Sequence, residues 1–160
     1  ASNLLGVEGG GFKIALTALN SGRIGVASQA LGIAQGSLDE AVKYSQERKQ
    51  FGKTLAEFQA IQFKIARMAT EVEAARHLLY SAADRKDRNQ SYIKEAAMAK
   101  LYCSETAVRT SLEAIQIHGG YGYIKEYPVE RFLRDSKITT IYEGTNEVMH
   151  MVIAGQIIDK

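Results

Sequence analysis

The chain has 160 residues, 46% of them apolar and 24% charged, the balance of one globular domain long enough to bury a sizeable core. Lys and Arg exceed Asp and Glu by only two (20 against 18), which excludes the strongly basic signature of a nucleic-acid surface, and the longest uncharged stretch, Ile24 to Leu38, is too short and too polar for membrane insertion. A single cysteine, Cys103, excludes an internal disulfide and suits a reducing compartment, while one proline and 8% aromatics tilt the expectation towards helix.

No charged-then-apolar signal segment opens the chain, and the first residue is Ala1 instead of methionine, as expected of a piece cut or processed from a longer chain. The opening holds glycines at 6, 9, 10 and 11 and reads as a flexible leading loop. From about Phe12 to Glu47 no proline interrupts, and Ala27, Leu31, Ala34, Leu38 and Ala41 recur at steps of three and four, marking one helical face. That helix is expected to stop near Phe51-Gly52, where glycine can end it. A second helix from Leu55 to Lys86, about 48 Å long at roughly 1.5 Å per residue, carries the clearest seam: Phe58, Ile61, Ile65, Met68, Val72, Ala75, Leu79 and Ala82.

Residues 86–91 read as a polar turn with Ser91 as N-cap and Glu95 in the early turns of the next helix. Ile93, Ala97, Leu101, Val108, Leu112 and Ile115 form the third stripe, which ends at His118-Gly119-Gly120. A glycine- and tyrosine-rich connection then leads to a short helix with Pro128 in its first turn, where a missing N–H costs nothing. The last helix is expected to start from Thr145 as N-cap, with Val148, Met149, Val152, Ile153 and Ile157 facing inward. Amphipathic helices must cover one another's stripes, so the fold class is all-α, an antiparallel up-and-down four-helix bundle with short connections.

Four stretches are richer in glycine, charge and aromatics than packing requires: residues 20–23, 48–53, 116–122 and 141–147. Most lie at helix ends, which a bundle gathers into two layers, so segments distant in sequence can share one site. The glycine run at 119–122 follows no strand, so it is neither a dinucleotide-binding nor a P-loop fingerprint. Three scattered histidines, at 77, 118 and 150, give no metal-ligand pattern, and His77, His150 and Cys103 read as structural.

Together the strings S-G-R, Y-S-Q-E-R-K-Q-F-G-K followed by F-Q-A-I-Q, Q-I-H-G-G-Y-G-Y, E-Y-P-V-E-R-F-L-R-D-S-K-I and I-Y-E-G-T-N-E strongly resemble the C-terminal domain of acyl-CoA dehydrogenases, in order and separation and over essentially the whole chain. The likeness is best to short- and medium-chain and bacterial short-chain-type enzymes. It implies α,β-dehydrogenation of acyl-CoA thioesters in fatty-acid or amino-acid catabolism, with Glu143 of the Y-E-G-T string as the base for the α proton and FAD as hydride acceptor. A carboxylate suits that task when burial moves its pKa towards neutrality. The family stabilises the thioester oxygen with the main-chain N–H of the same glutamate and a flavin hydroxyl. Some relatives carry the base on the first helix, just before the arginine that matches Arg23; here that position is Gly22, which favours Glu143.

The resemblance further assigns Asn20, Ser21, Gly22, Arg23 and Gly144 to the substrate. It assigns Arg48 to the FAD pyrophosphate, a role suited to a planar fork of donors. Phe51 and Gln59 fall at flavin contacts. Gln116, Ile117, His118, Gly119 and Gly120 match a loop that receives the adenosine end from a neighbouring subunit, although the histidine position is not diagnostic. Thr145, Asn146 and Glu147 match the segment lining the cofactor beside the base. It implies two further domains, N-terminal helical and middle β, and hence an isolated piece without turnover. A homo-oligomer built as a dimer of dimers, electron-transfer flavoprotein as electron acceptor, and a cytoplasmic or mitochondrial-matrix location complete the expectation. An acyl-CoA oxidase of the same fold and a non-catalytic helical interaction module remain alternatives. A nitroalkane-oxidase-like protein, which uses an aspartate base, is disfavoured. Acyl chain length stays open.

Overall fold

The computed structural model describes residues 3–158. Five α-helices dominate among them: α1 (Gly11–Glu47), α2 (Gln59–Asp87), α3 (Ile93–His118), α4 (Val129–Thr139) and α5 (Asn146–Ile158). The all-α bundle expected from the stripes is therefore what forms. The chain runs up α1, down α2 and up α3; α4 turns back across α1 and α3, and α5 closes on α3.

The α1 stripe is buried as its spacing predicts, with Ala27, Ala34 and Ala41 fully covered. It meets the seam of α2, where Met68, Val72, Ala75, Leu79 and Ala82 are buried. The third stripe differs from expectation. Leu112 is half exposed, and the covered face of α3 is small and polar: Ala96, Ala99, Ser104, Thr106, Ala107, Thr110, Ser111 and Ala114. The reason is position. α3 touches every other helix, and alanines and serines allow the close approach that large aliphatics prevent. Ser37 on α1 meets Ser111 on α3 oxygen to oxygen at 3.0 Å. Likewise α5 buries Met149, but Val148 and Ile157 point outward, because this helix packs chiefly on α3.

Three boundaries shift for local reasons. Helix α1 ends at Glu47, four residues before the expected stop, and residues 48–55 form a hairpin pairing β1 (Lys49–Gln50) with β2 (Lys53–Thr54). Phe51 and Gly52, at φ 53° and 82°, make its two-residue turn, the left-handed geometry that matches strand twist. Glycine here turns a hairpin instead of ending a helix. A single 3-10 turn (Leu55–Glu57) follows, opened by a capping box in which Glu57 Oε2 accepts from the Thr54 N–H at 2.7 Å. That delays α2 to Gln59. At the start of α3, Tyr92 occupies the cap position without a side-chain cap bond, and Ser91 instead offers its carbonyl to Arg85 Nη1 at 3.1 Å. Thr145 does cap α5, its Oγ1 accepting from the Val148 N–H at 3.4 Å.

Candidate active site

The connection between α4 and α5 is short and tightly determined. The N–H groups of Ile141 and Tyr142 both donate to the Ile138 carbonyl, and the Asn146 N–H donates back to Thr140 at 3.0 Å. Between these ties Glu143 and Gly144 both take left-handed backbone, φ 56° and 95°. For glycine that is ordinary; for glutamate it is a sparsely populated state that the surroundings must hold.

This turn delivers the half-buried Glu143 side chain against α1. Its carboxylate lies over Gly22 so closely that a Cβ there would sit 2.3 Å from Oε2. The next residue, Arg23, is 6% exposed, and its Nη1 donates to Asn20 Oδ1 at 2.8 Å while Nε has no partner. Burial lowers the Arg23 pKa, and the Glu143 carboxylate facing it acts in the opposite sense. Ser21 Oγ lies 3.1 Å from the Tyr92 hydroxyl. The structure thus brings Asn20, Ser21, Gly22 and Arg23 from α1 together with Glu143 and Gly144: a carboxylate beside a buried cation on a rigid helix. Thr145 is half-buried at the cap, Asn146 turns its side chain into the bundle, and Glu147 is exposed in the first turn of α5. There the helix N-terminal N–H and the Thr145 hydroxyl hold the Glu147 carboxyl below the usual range.

A second group sits at the opposite end. Arg48, Ile117, His118, Gly119, Gly120 and Tyr121 line a cleft of about 550 Å³. Arg48 Cζ lies 5.4 Å from the Tyr121 ring centroid. His118 is buried and stacked on Tyr44 with centroids 4.1 Å apart. Burial lowers its pKa, so the ring is neutral, and Nδ1 donates to the Ala114 carbonyl at 2.8 Å. The other nitrogen, Nε2, is therefore an acceptor, buried and unpartnered. A cation, open glycine backbone and an orphaned acceptor suit a ligand carrying both anionic and donor groups. Gln116, Phe51 at the hairpin tip and Gln59 at the start of α2 are exposed near this end.

Lys100 belongs to the first end and His118 to the second, on one helix and eighteen residues apart, about 27 Å at roughly 1.5 Å per residue. The expected gathering at helix ends holds, but the residues fall into two groups in different layers.

A family model described as the acyl-CoA dehydrogenase C-terminal domain matches residues 9–158. The chain belongs to that family. It is 58% identical over 153 residues to an acyl-CoA dehydrogenase of Bacillus subtilis, covering 96% of this chain and 40% of the relative. It is 56% identical over 158 residues to the caffeyl-CoA reductase–Etf complex subunit CarC of Acetobacterium woodii, covering 99% and 42%. The structure of butyryl-CoA dehydrogenase from Megasphaera elsdenii superposes with a TM-score of 0.97 at 56% identity, covering 98% of this chain and 41% of that one. The chain therefore spans about two fifths of the length of these relatives.

The acyl-CoA dehydrogenase domain holds one further residue at the Glu143 end that sequence reasoning passed over. Lys100, fully buried on α3, donates through Nζ to the Gly144 carbonyl at 2.8 Å and to Asn146 Oδ1 at 2.9 Å. Its signal was available: it stands four residues after Ala96 and three before Cys103, a lysine inside a stripe of small residues. Among the described residues no helix is long and apolar enough to cross a membrane, and no cluster of three metal-ligating side chains occurs.

Proposed function

We propose that this chain is the C-terminal helical domain of a longer FAD-dependent acyl-CoA dehydrogenase, preceded by N-terminal helical and middle β domains, in which Glu143 removes the α proton of the acyl-CoA thioester. The observation that carries this reading is the Glu143 carboxylate held by a left-handed turn over Gly22 and beside Arg23. As the α C–H bond breaks, the proton passes to the carboxylate and negative charge develops on the thioester. The buried Arg23 that faces the carboxylate supports that charge without reorganising. Asn20, Ser21 and Gly144 form the wall along which the thioester lies. FAD, when bound, supplies the hydride acceptor for the β carbon.

The cleft at the far end supports a cofactor role for Arg48 and for residues 116–120. Its guanidinium suits a pyrophosphate, and the unpartnered His118 Nε2 suits a hydroxyl or amino donor of an adenosine. Phe51 and Gln59 flank it, and Thr145, Asn146 and Glu147 serve the flavin at the Glu143 end. Two groups about 27 Å apart along one helix serve cofactors shared with a second copy, as in a homo-oligomer. Electron-transfer flavoprotein is the proposed electron partner, in keeping with the name of the Acetobacterium relative. That relative is called a reductase, which favours a second reading: the same glutamate, run in reverse, returns a proton to the α carbon of an enoyl-CoA.

The test is Glu143→Gln in the full-length flavoprotein. Flavin content should be retained while acyl-CoA-dependent bleaching slows by about 10²- to 10⁴-fold. Bleaching at the normal rate would remove Glu143 from the role of base.

A further inference from the structure

Lys100 has no part in the chemistry above, yet it is 0% exposed. Its neighbours on α3 are Ala96, Ala97, Ala99, Cys103 and Ser104, all buried. A lysine there forgoes hydration, and burial lowers its pKa from 10.5 to about 8. A methionine would fill the same volume without that penalty, so packing alone does not account for the residue.

What the ammonium does instead is bond the active-site turn. One N–H goes to the Gly144 carbonyl, the group that follows Glu143; another goes to Asn146 Oδ1, which also accepts from Ser104 Oγ at 3.1 Å. These acceptors bracket the stretch through which the chain leaves Glu143 and enters α5. The stretch has uncomfortable backbone, with Glu143 at φ 56° and Gly144 at φ 95°. The charged groups facing Lys100 are Arg23 from α1, which disfavours its proton, and Glu147 from α5, which favours it.

We propose that Lys100 is a positioning residue that clamps the Glu143–Gly144 turn to α3 and so keeps the Glu143 carboxylate over Gly22. The inference rests on Glu143 being the base. Without the two bonds, the Gly144 carbonyl and the Asn146 amide are free to turn, the left-handed glutamate relaxes, and the carboxylate leaves its seat. Lys100 acts through the Gly144 carbonyl and the Asn146 amide, and so through the backbone of its neighbour.

The test uses Lys100→Met in the full-length flavoprotein. The clamp predicts kcat reduced about 10- to 100-fold, as for a misplacement near 1 Å, with KM within about twofold, flavin content unchanged and thermal stability equal or raised. A crystal structure of the variant should show Glu143 outside the left-handed region. In the double variant with Glu143→Gln, turnover should be no slower than with Glu143→Gln alone. Wild-type kcat, or a loss fully explained by missing folded or flavin-loaded protein, overturns the clamp. So does a variant structure in which the turn has not moved. Should Lys100→Met not fold, Lys100→Gln, which removes the charge and is one bond short of the ammonium's reach to its two acceptors, decides: lowered kcat at unchanged KM supports the clamp and wild-type kcat overturns it. Failure of the base assignment shows separately, as undiminished turnover in Glu143→Gln, and the position of the turn in Lys100→Met still answers for Lys100.

Discussion

Replacing Gly22 by alanine separates the fold from the chemistry more cleanly than any change to Glu143 itself. An added Cβ would stand 2.3 Å from Oε2 and 3.0 Å from Cδ of Glu143, where ordinary contact begins at about 3.4 Å. The carboxylate must retreat by about 1 Å. It can, because the obstructing atoms are the far end of a flexible side chain and not backbone. Meanwhile an interior helix position exchanges glycine for alanine, which stabilises α1 by roughly 0.5–1 kcal/mol. Gly22→Ala should therefore leave thermal unfolding of the full-length flavoprotein unchanged or slightly raised. Its single-turnover flavin bleaching by acyl-CoA should slow on the order of 100-fold, with KM little altered. Gly32→Ala is the control: a Cβ there meets nothing within 4 Å, so it should give the helix gain without the rate loss. Wild-type turnover in Gly22→Ala would refute the claim that Glu143 works from its seat on α1. A stability loss beyond about 1 kcal/mol would refute the steric reasoning, since it would mean the carboxylate cannot yield.

Two further outcomes follow from buried charge and from the two-ended layout. Above a folded pKa of about 8 Lys100 has lost a proton that the unfolded lysine keeps until about 10.5, so the unfolded state binds more protons and stability rises with pH. Above pH 9 the Cys103 thiol, which burial pushes up to about 12, works the other way, because it ionises first in the unfolded chain. Urea unfolding should thus show a gain of roughly 1 kcal/mol between pH 8 and 9 that disappears in Lys100→Met; a flat profile in the unaltered protein would contradict the buried ammonium. In a mixed oligomer, Glu143→Gln and Arg48→Glu, each inactive alone, should restore about a quarter of the wild-type sites when co-expressed, because one site of each mixed pair draws both residues from unaltered positions. No recovery would mean that both residues serve one site within a single copy.

The long helices were legible because α1 and α2 bury faces set by sequence spacing: Ala27 to Ala41 and Met68 to Ala82 are covered as the three-four pattern requires. The pattern misled on α3, where Leu112 is the large apolar residue and yet half exposed. A helix packed on every side selects for small size more than for hydrophobicity, and a stripe of Ala, Ser and Thr does not stand out from a polar face. The hairpin at 48–55 was hidden because Phe51 adopts left-handed backbone beside Gly52, a choice no propensity favours for phenylalanine. At the Glu143 end, the strings located the residues on α1 and in the turn, but not the lysine that bonds them. Lys100 shares no string with Glu143 and reaches Gly144 and Asn146 beside it because α3 packs against α5.

Energetics explain why such a residue must be read from function. A fall in pKa from 10.5 to about 8, caused first by burial and then by Arg23, corresponds to roughly 3 kcal/mol against the ammonium form. Its two hydrogen bonds, at about 1.5–3 kcal/mol each for a charged donor, offset that cost and leave a net contribution near zero to a few kcal/mol. Arg23 is in a similar position, buried with Nε unpartnered and only part of its guanidinium satisfied. Two buried cations at one end of the bundle therefore add little to stability. An apolar side chain at either position would stabilise the fold as well or better. What the cations supply is direction: Arg23 faces the carboxylate, and Lys100 holds the turn that presents it. At this end of the domain the departures from good packing lie where a charge has to be held still, and they converge on Glu143.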